Sequence, residues 1–142
     1  MPATETGWSH FPHGADVGLC GYGPTLAAAF EQTALAMTAA ITDPAQVQPR
    51  QSVRVECEAP DAELLLIDWL NALIFEMATG NLLFGRFEVH IDGNRLSGTA
   101  WGESVSRERH EPTVEVKGAT YTALEVGRDD DGKWVARCVV DV

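Results

Sequence analysis

The sequence predicts an α+β fold, a single-domain sandwich in which two helices pack on a mostly antiparallel sheet. Three observations predict it. Two stretches, Leu26 to Thr42 and Glu63 to Gly80, carry apolar residues at helical spacing. Several shorter stretches alternate apolar and polar residues with period two, the pattern of half-buried strands. Turn signals such as Asp92-Gly93-Asn94 join the alternating stretches, so hairpins are segregated from helices. At 142 residues and 45% hydrophobic composition the chain can bury one core without disulfide or metal staples, and residues 1–142 read as a single domain.

In order along the chain, residues 1–8 are expected to fray. His10-Phe11-Pro12-His13-Gly14-Ala15-Asp16 follows, and its proline and glycine make it read as a shaped loop entering a strand at Val17 to Tyr22, with Asp16 at the start of that strand. Thr25 caps the first helix, and Pro44 forces Asp43 out of helical geometry, so that helix ends near Thr42. A linker from Pro44 to Arg50 leads to a half-exposed strand through Val53, Val55 and Cys57. Asp61 caps the second helix and Gly80-Asn81 closes it; its apolar residues cover so much of the circumference that burial on more than one side is expected. Phe87 to Ile91 and Leu96 to Glu103 form a hairpin about Asp92-Gly93-Asn94. Arg107 to Pro112 reads as a solvated connection, followed by strands at Val114 to Lys117 and Tyr121 to Val126. Asp129 to Gly132 turns into a last strand, Trp134 to Val140, which is apolar on both faces and should be central.

The formal charge of -11 argues against tight direct binding of nucleic acid, because such binding depends on cationic side chains displacing counterions. A basic protein partner or a divalent cation suits that charge better. Cys20, Cys57 and Cys138 are scattered in apolar runs without a CxxC pair and read as structural thiols of a reducing, cytoplasmic environment. The N-terminus lacks the cationic start and apolar core of a signal peptide, and the stretch Leu64 to Phe75, interrupted by Asp68 and Asn71, is too short to span a membrane.

The candidate chemistry is carboxylate chemistry. Asp141 ends the central strand and is followed by Val142, whose own carboxylate places two negative groups one residue apart. That arrangement is costly unless a cation or hydrogen-bond donors compensate it. Joined by Asp16, the oxygen-rich set would suit a hard cation such as calcium or magnesium; a solvated, fraying chain end is the alternative, and spacing leaves both open. His10 and His13 sit on a loop with no cysteine at zinc-finger spacing and read as hydrogen-bonded loop histidines. Asp129 to Gly132 lacks the alternating ligands of a calcium loop and reads as a hairpin turn. Lys117 shares a strand face with Glu115, an ordinary surface ion pair. Asp68 and Asn71, one turn apart on the second helix, read as a polar stripe or as satisfied core groups rather than a catalytic pair.

Taken together, His10-Phe11-Pro12-His13-Gly14-Ala15-Asp16-Val17-Gly18, Tyr22-Gly23-Pro24-Thr25-Leu26, Leu65-Leu66-Ile67-Asp68-Trp69-Leu70-Asn71, Gly102-Glu103, Arg109-His110, Glu115-Val116-Lys117 and Val140-Asp141-Val142 resemble the archease family, in family order and over essentially the whole chain. Gly14 and Thr122 depart from the threonine and histidine common there. The resemblance implies an archease-like fold and a protein cofactor, not itself an enzyme, of the tRNA-splicing RNA ligase that joins ends through a guanylylated histidine. It implies that Asp16 and Asp141, with oxygen from Val142, bind a divalent metal ion, calcium by preference with magnesium or manganese as alternatives, and that Lys117 serves ligase activation. Two other readings remain: a metal-dependent phosphoester hydrolase with Asp16 and Asp141 around a metal-bound water, and a chaperone-like modulator of a tRNA methyltransferase.

Overall fold

The computed structural model describes residues 5–142. It contains eight strands and three helices: β1 (Gly7–His13), β2 (Asp16–Gly23), α1 (Leu26–Ile41), β3 (Gln51–Glu58), α2 (Ala62–Gly80), β4 (Leu82–Asp92), β5 (Arg95–Ser104), α3 (Arg107–His110), β6 (Gly118–Ala119), β7 (Glu125–Arg128) and β8 (Trp134–Asp141). A single 3-10 turn, Pro44–Gln46, interrupts the linker after α1. All pairings are antiparallel, but the strands divide into two sheets rather than one. β1-β2-β8-β6 forms the larger, with β7 sharing the edge of β8 that β6 uses, and β3-β5-β4 forms the smaller. The central placement expected for the last strand is what β8 has.

Helix α1 lies between the sheets and is bonded to both. Thr33 Oγ1 reaches Ala136 O in the larger sheet at 3.4 Å, and Thr38 Oγ1 donates to Phe84 O in the smaller at 2.7 Å. Its approach to β2 is close because Gly21 has no side chain; a Cβ there would run into the backbone of Ala29 and Thr33. Small residues on the facing surface, Ala29, Ala34 and Ala36, are wholly buried, and Phe30 and Met37 fill the space beside them. Residues 19, 136, 138 and 140 point to this core, so the alternate residues of β2 and β8, including Asp16 and Asp141, project from the opposite face. On that outer face Phe11 lies over Gly18 and takes the Arg137 guanidinium at 4.4 Å from its ring centre, leaving Arg137 Nε without a hydrogen-bond partner among the described residues.

Helix α2 begins at Asp61, whose Oδ1 accepts from Leu64 N at 2.8 Å, and ends at Asn81 in the left-handed conformation. Leu65, Leu66, Trp69, Leu70 and Leu73 are buried, with Trp69 Nε1 donating to Phe30 O. The helix is buried on more than one side, as its composition implies, and Asp68, Asn71, Phe75 and Ala78 form the exposed stripe that is left. Two polar side chains stitch α2 to the larger sheet: Asn71 Oδ1 accepts from Ala119 N at 2.9 Å, and Glu63 Oε2 from Val126 N at 3.4 Å.

Four local expectations also change. Residues 7–13, expected as a frayed end and a loop, form an edge strand whose partners run from Tyr22 to Asp16; residues 1–4 lie outside the described residues. Proline is tolerated there because an edge strand has one side without ladder bonds. Val114 to Lys117 is irregular, not a strand. Pro112 offers no donor, and the segment is held through Thr113 N to Ile41 O at 2.9 Å and Lys117 N to Asp141 O at 2.8 Å. The strand expected from Tyr121 starts only at Glu125, since Ala123 adopts a positive φ of 55°. The connection at Arg107 is a one-turn helix, capped by Ser106 and with His110 buried.

Candidate acidic site at the sheet end

Strand register brings the two predicted aspartates together. β2 pairs with β8 from Val17 opposite Val140 onward, and continuing that register by one residue sets Asp16 opposite Asp141. His13 flanks Asp16 across the β1–β2 hairpin, and Gly118 flanks Asp141 on β6, so His13, Asp16, Asp141 and Gly118 form one row. The hairpin turn depends on Gly14, whose φ of 59° a side chain would strain. Asp16 is half-buried and Asp141 exposed.

Val142 completes the arrangement. Its N–H donates to Asp16 Oδ1 at 3.3 Å, and its side chain packs on the core, so the chain end is held rather than fraying. Lys117 is exposed, and its N–H donates to the carbonyl of Asp141, the residue whose side chain faces Asp16. All four predicted residues therefore meet at one end of β2 and β8. His10 does not join them: its Nε2 lies 2.7 Å from Ala36 O on the inner side of β1.

Two carboxylates directly opposite each other across strands repel. Two aspartate side chains joined by main-chain oxygen of Val142 would make a hard, anionic donor set, of a kind that suits calcium, magnesium or manganese better than a soft metal. Among the described residues no three His, Cys, Asp or Glu side chains converge at ligating spacing.

Comparison with known proteins places the chain in a family. The model of the archease protein family matches residues 8–142. The chain belongs to the archease family. Protein archease of Pyrococcus furiosus is 40% identical over 139 residues, covering 95% of this chain and 98% of the relative. Protein archease of Methanothermobacter thermautotrophicus is 40% identical over 140 residues, with 96% and 99% covered. The solution structure of Methanobacterium thermoautotrophicum protein 1598 superposes with a TM-score of 0.83 at 39% identity, covering 96% of this chain and 99% of that one. The α+β reading is thus the archease fold, and among the described residues no helix is long and apolar enough to cross a membrane.

A second polar centre in this archease fold was not expected from the residues. Glu103, at the end of β5, is 3% exposed. Its carboxylate accepts from Gln48 N (2.8 Å), Arg50 Nε (3.1 Å), Arg109 (2.6 Å) and His110 Nε2 (2.9 Å). Because Ser106 N–H donates to His110 Nδ1 at 2.8 Å, that ring carries its proton on Nε2, toward Glu103. The hydrogen bond from Arg109, joined by those of Gln48 and His110, holds the Glu103 carboxyl well below the usual carboxylate range against the opposing effect of burial. Thr42 Oγ1 donates to His110 O, so this centre fixes α3 to the end of α1 and forms the base of the irregular segment leading to Lys117. The signal available was the charge alternation Arg107-Glu108-Arg109-His110-Glu111, which also describes an ordinary solvated connection.

Proposed function

We propose that this protein activates the tRNA-splicing RNA ligase, promoting its guanylylation and repeated turnover, in tRNA splicing or RNA repair. The observation that carries the reading is the convergence of Asp16, Asp141, Val142 and Lys117 at one sheet end, in a chain of the archease family. Asp16, Asp141 and main-chain oxygen of Val142 would hold a divalent cation, calcium by preference. A bound cation would neutralise the cross-strand carboxylate repulsion and fix the geometry of this edge. Lys117, carried beside Asp141, presents a cation where a partner's nucleotide phosphates or carboxylates could meet it. The formal charge of -11 favours encounter with an RNA ligase, whose RNA-binding groove must be basic.

The test is a guanylylation assay with limiting ligase and excess RNA. Wild-type protein should accelerate guanylylation and permit multiple turnover. Asp16→Ala and Asp141→Ala should abolish stimulation while retaining the folded circular dichroism spectrum; Lys117→Ala should lose stimulation with an unchanged melting temperature. Full stimulation by either aspartate variant would refute the role of the pair.

A further inference from the structure

We infer that the cleft at the C-terminal end of α2 is the anchoring site for a partner segment that presents an apolar side chain next to a lysine or arginine. The inference rests on the activator reading above and names how such a partner would be held. The cleft encloses about 320 Å³ between the end of α2 and the irregular segment after α3, walled by Ile74, Met77, Ala78, Leu82, Val114 and Val116. Beside it stands Phe75, 62% exposed, on the α2 stripe that includes Asn71 and Ala78 one turn away on either side. A large aromatic left in water next to an apolar cleft resembles the anchors of protein interfaces, where a few aromatic contacts carry most of the affinity.

Charge identifies the occupant. A helix C-terminus carries partial negative charge, and α2 has no basic residue in its last turn to balance it. Glu115 lines the cleft mouth, adding a full negative charge. A bare hydrophobic segment would leave this potential unmatched, and an acidic one would be repelled, whereas a basic residue flanking an apolar anchor satisfies both features. The surface is also continuous with the acidic sheet end. Val116 walls the cleft, Lys117 follows it, and Ala119 is bonded to Asn71 on the same helix stripe as Phe75. A partner seated on Phe75 would therefore lie alongside Lys117.

The experiment measures binding of the purified cognate ligase to wild type, Phe75→Ala, Ala78→Gln and Glu115→Gln by titration calorimetry, with guanylylation followed in parallel. The changed side chains are exposed, so thermal melts should stay unchanged. Phe75→Ala and Ala78→Gln should raise Kd by roughly tenfold or more, the cost of losing or blocking an interface anchor. Glu115→Gln should weaken binding less and reduce its salt dependence. If wild type binds and both neutral variants bind equally well, the cleft assignment is overturned and the activator reading stands. If wild type neither binds nor stimulates the ligase, the activator reading fails, and the cleft assignment falls with it.

Discussion

Glu103 shows how one buried charge organises a region without touching the acidic sheet end. Four donors converge on it, so replacing it leaves the buried His110 without its acceptor while Arg109 and Arg50 can still turn to solvent. Its carboxyl in the folded state ionises below the ordinary range of about 4.3, while the unfolded chain returns it to that value. Between those two values the unfolded chain binds more protons, so stability from this group is complete above about pH 4.3 and is lost as acid is added. Glu103→Gln should therefore be clearly less stable than wild type in urea melts near neutral pH, and the gap should narrow below about pH 4. A gap that stays constant on acidification would remove the charge from the explanation. The opposite sign holds for Cys138, wholly buried on β8, whose thiol burial pushes up to about 12. Above about pH 8.5 the unfolded thiol ionises and the folded one does not, so this group reduces stability by about 1.4 kcal/mol per pH unit until its folded value is reached. Cys138→Ala should flatten the alkaline part of the stability profile, whatever it does to the plateau; an unchanged slope would show that the thiol ionises freely in the fold.

At the scale of elements, α1 is the piece on which both sheets depend, and its contact with β2 has no room for a methyl group. A Cβ at Gly21 would meet Ala29 O and the Thr33 backbone, which cannot rotate away as a side chain could. Gly21→Ala should cost at least about 2 kcal/mol in equilibrium unfolding, whereas Gly127→Ala, with nothing within 4 Å of its added Cβ, should cost far less. Equal losses would mean that α1 slides without penalty. The helices themselves were legible because Thr25 and Asp61 cap them and the apolar residues keep helical spacing. The β4–β5 hairpin was legible for a similar local reason, Gly93 adopting the positive φ its turn requires. What local pattern could not show was β1, where Pro12 and polar side chains suggest a loop until β2 supplies the pairing. Nor could it show that Val114 and Val116, which alternate like a strand, line a cleft instead. The aspartate pair lies between these cases. Each residue was visible as a strand-end carboxylate, but the family resemblance joined them, because register between segments more than a hundred residues apart is set by the packed core.

For the whole molecule, the charge and the apolar cleft govern different stages of association. A protein of formal charge -11 attracts a basic partner from beyond contact distance, and that attraction fades once the Debye length, about 10 Å at 0.1 M salt, becomes shorter than the approach distance. The cleft and Phe75 act only at contact, where apolar burial is little affected by moderate salt. In stopped-flow mixing with the ligase, the association rate should therefore fall several-fold between about 0.05 M and about 0.5 M sodium chloride, with the dissociation rate changing much less. Phe75→Ala should do the reverse: its net charge is that of wild type, so association should keep the same salt dependence while dissociation quickens. If both perturbations changed the same rate constant, long-range steering and local anchoring would not be separate functions of this surface. A salt-independent association rate would leave the acidic composition without a role in finding the partner.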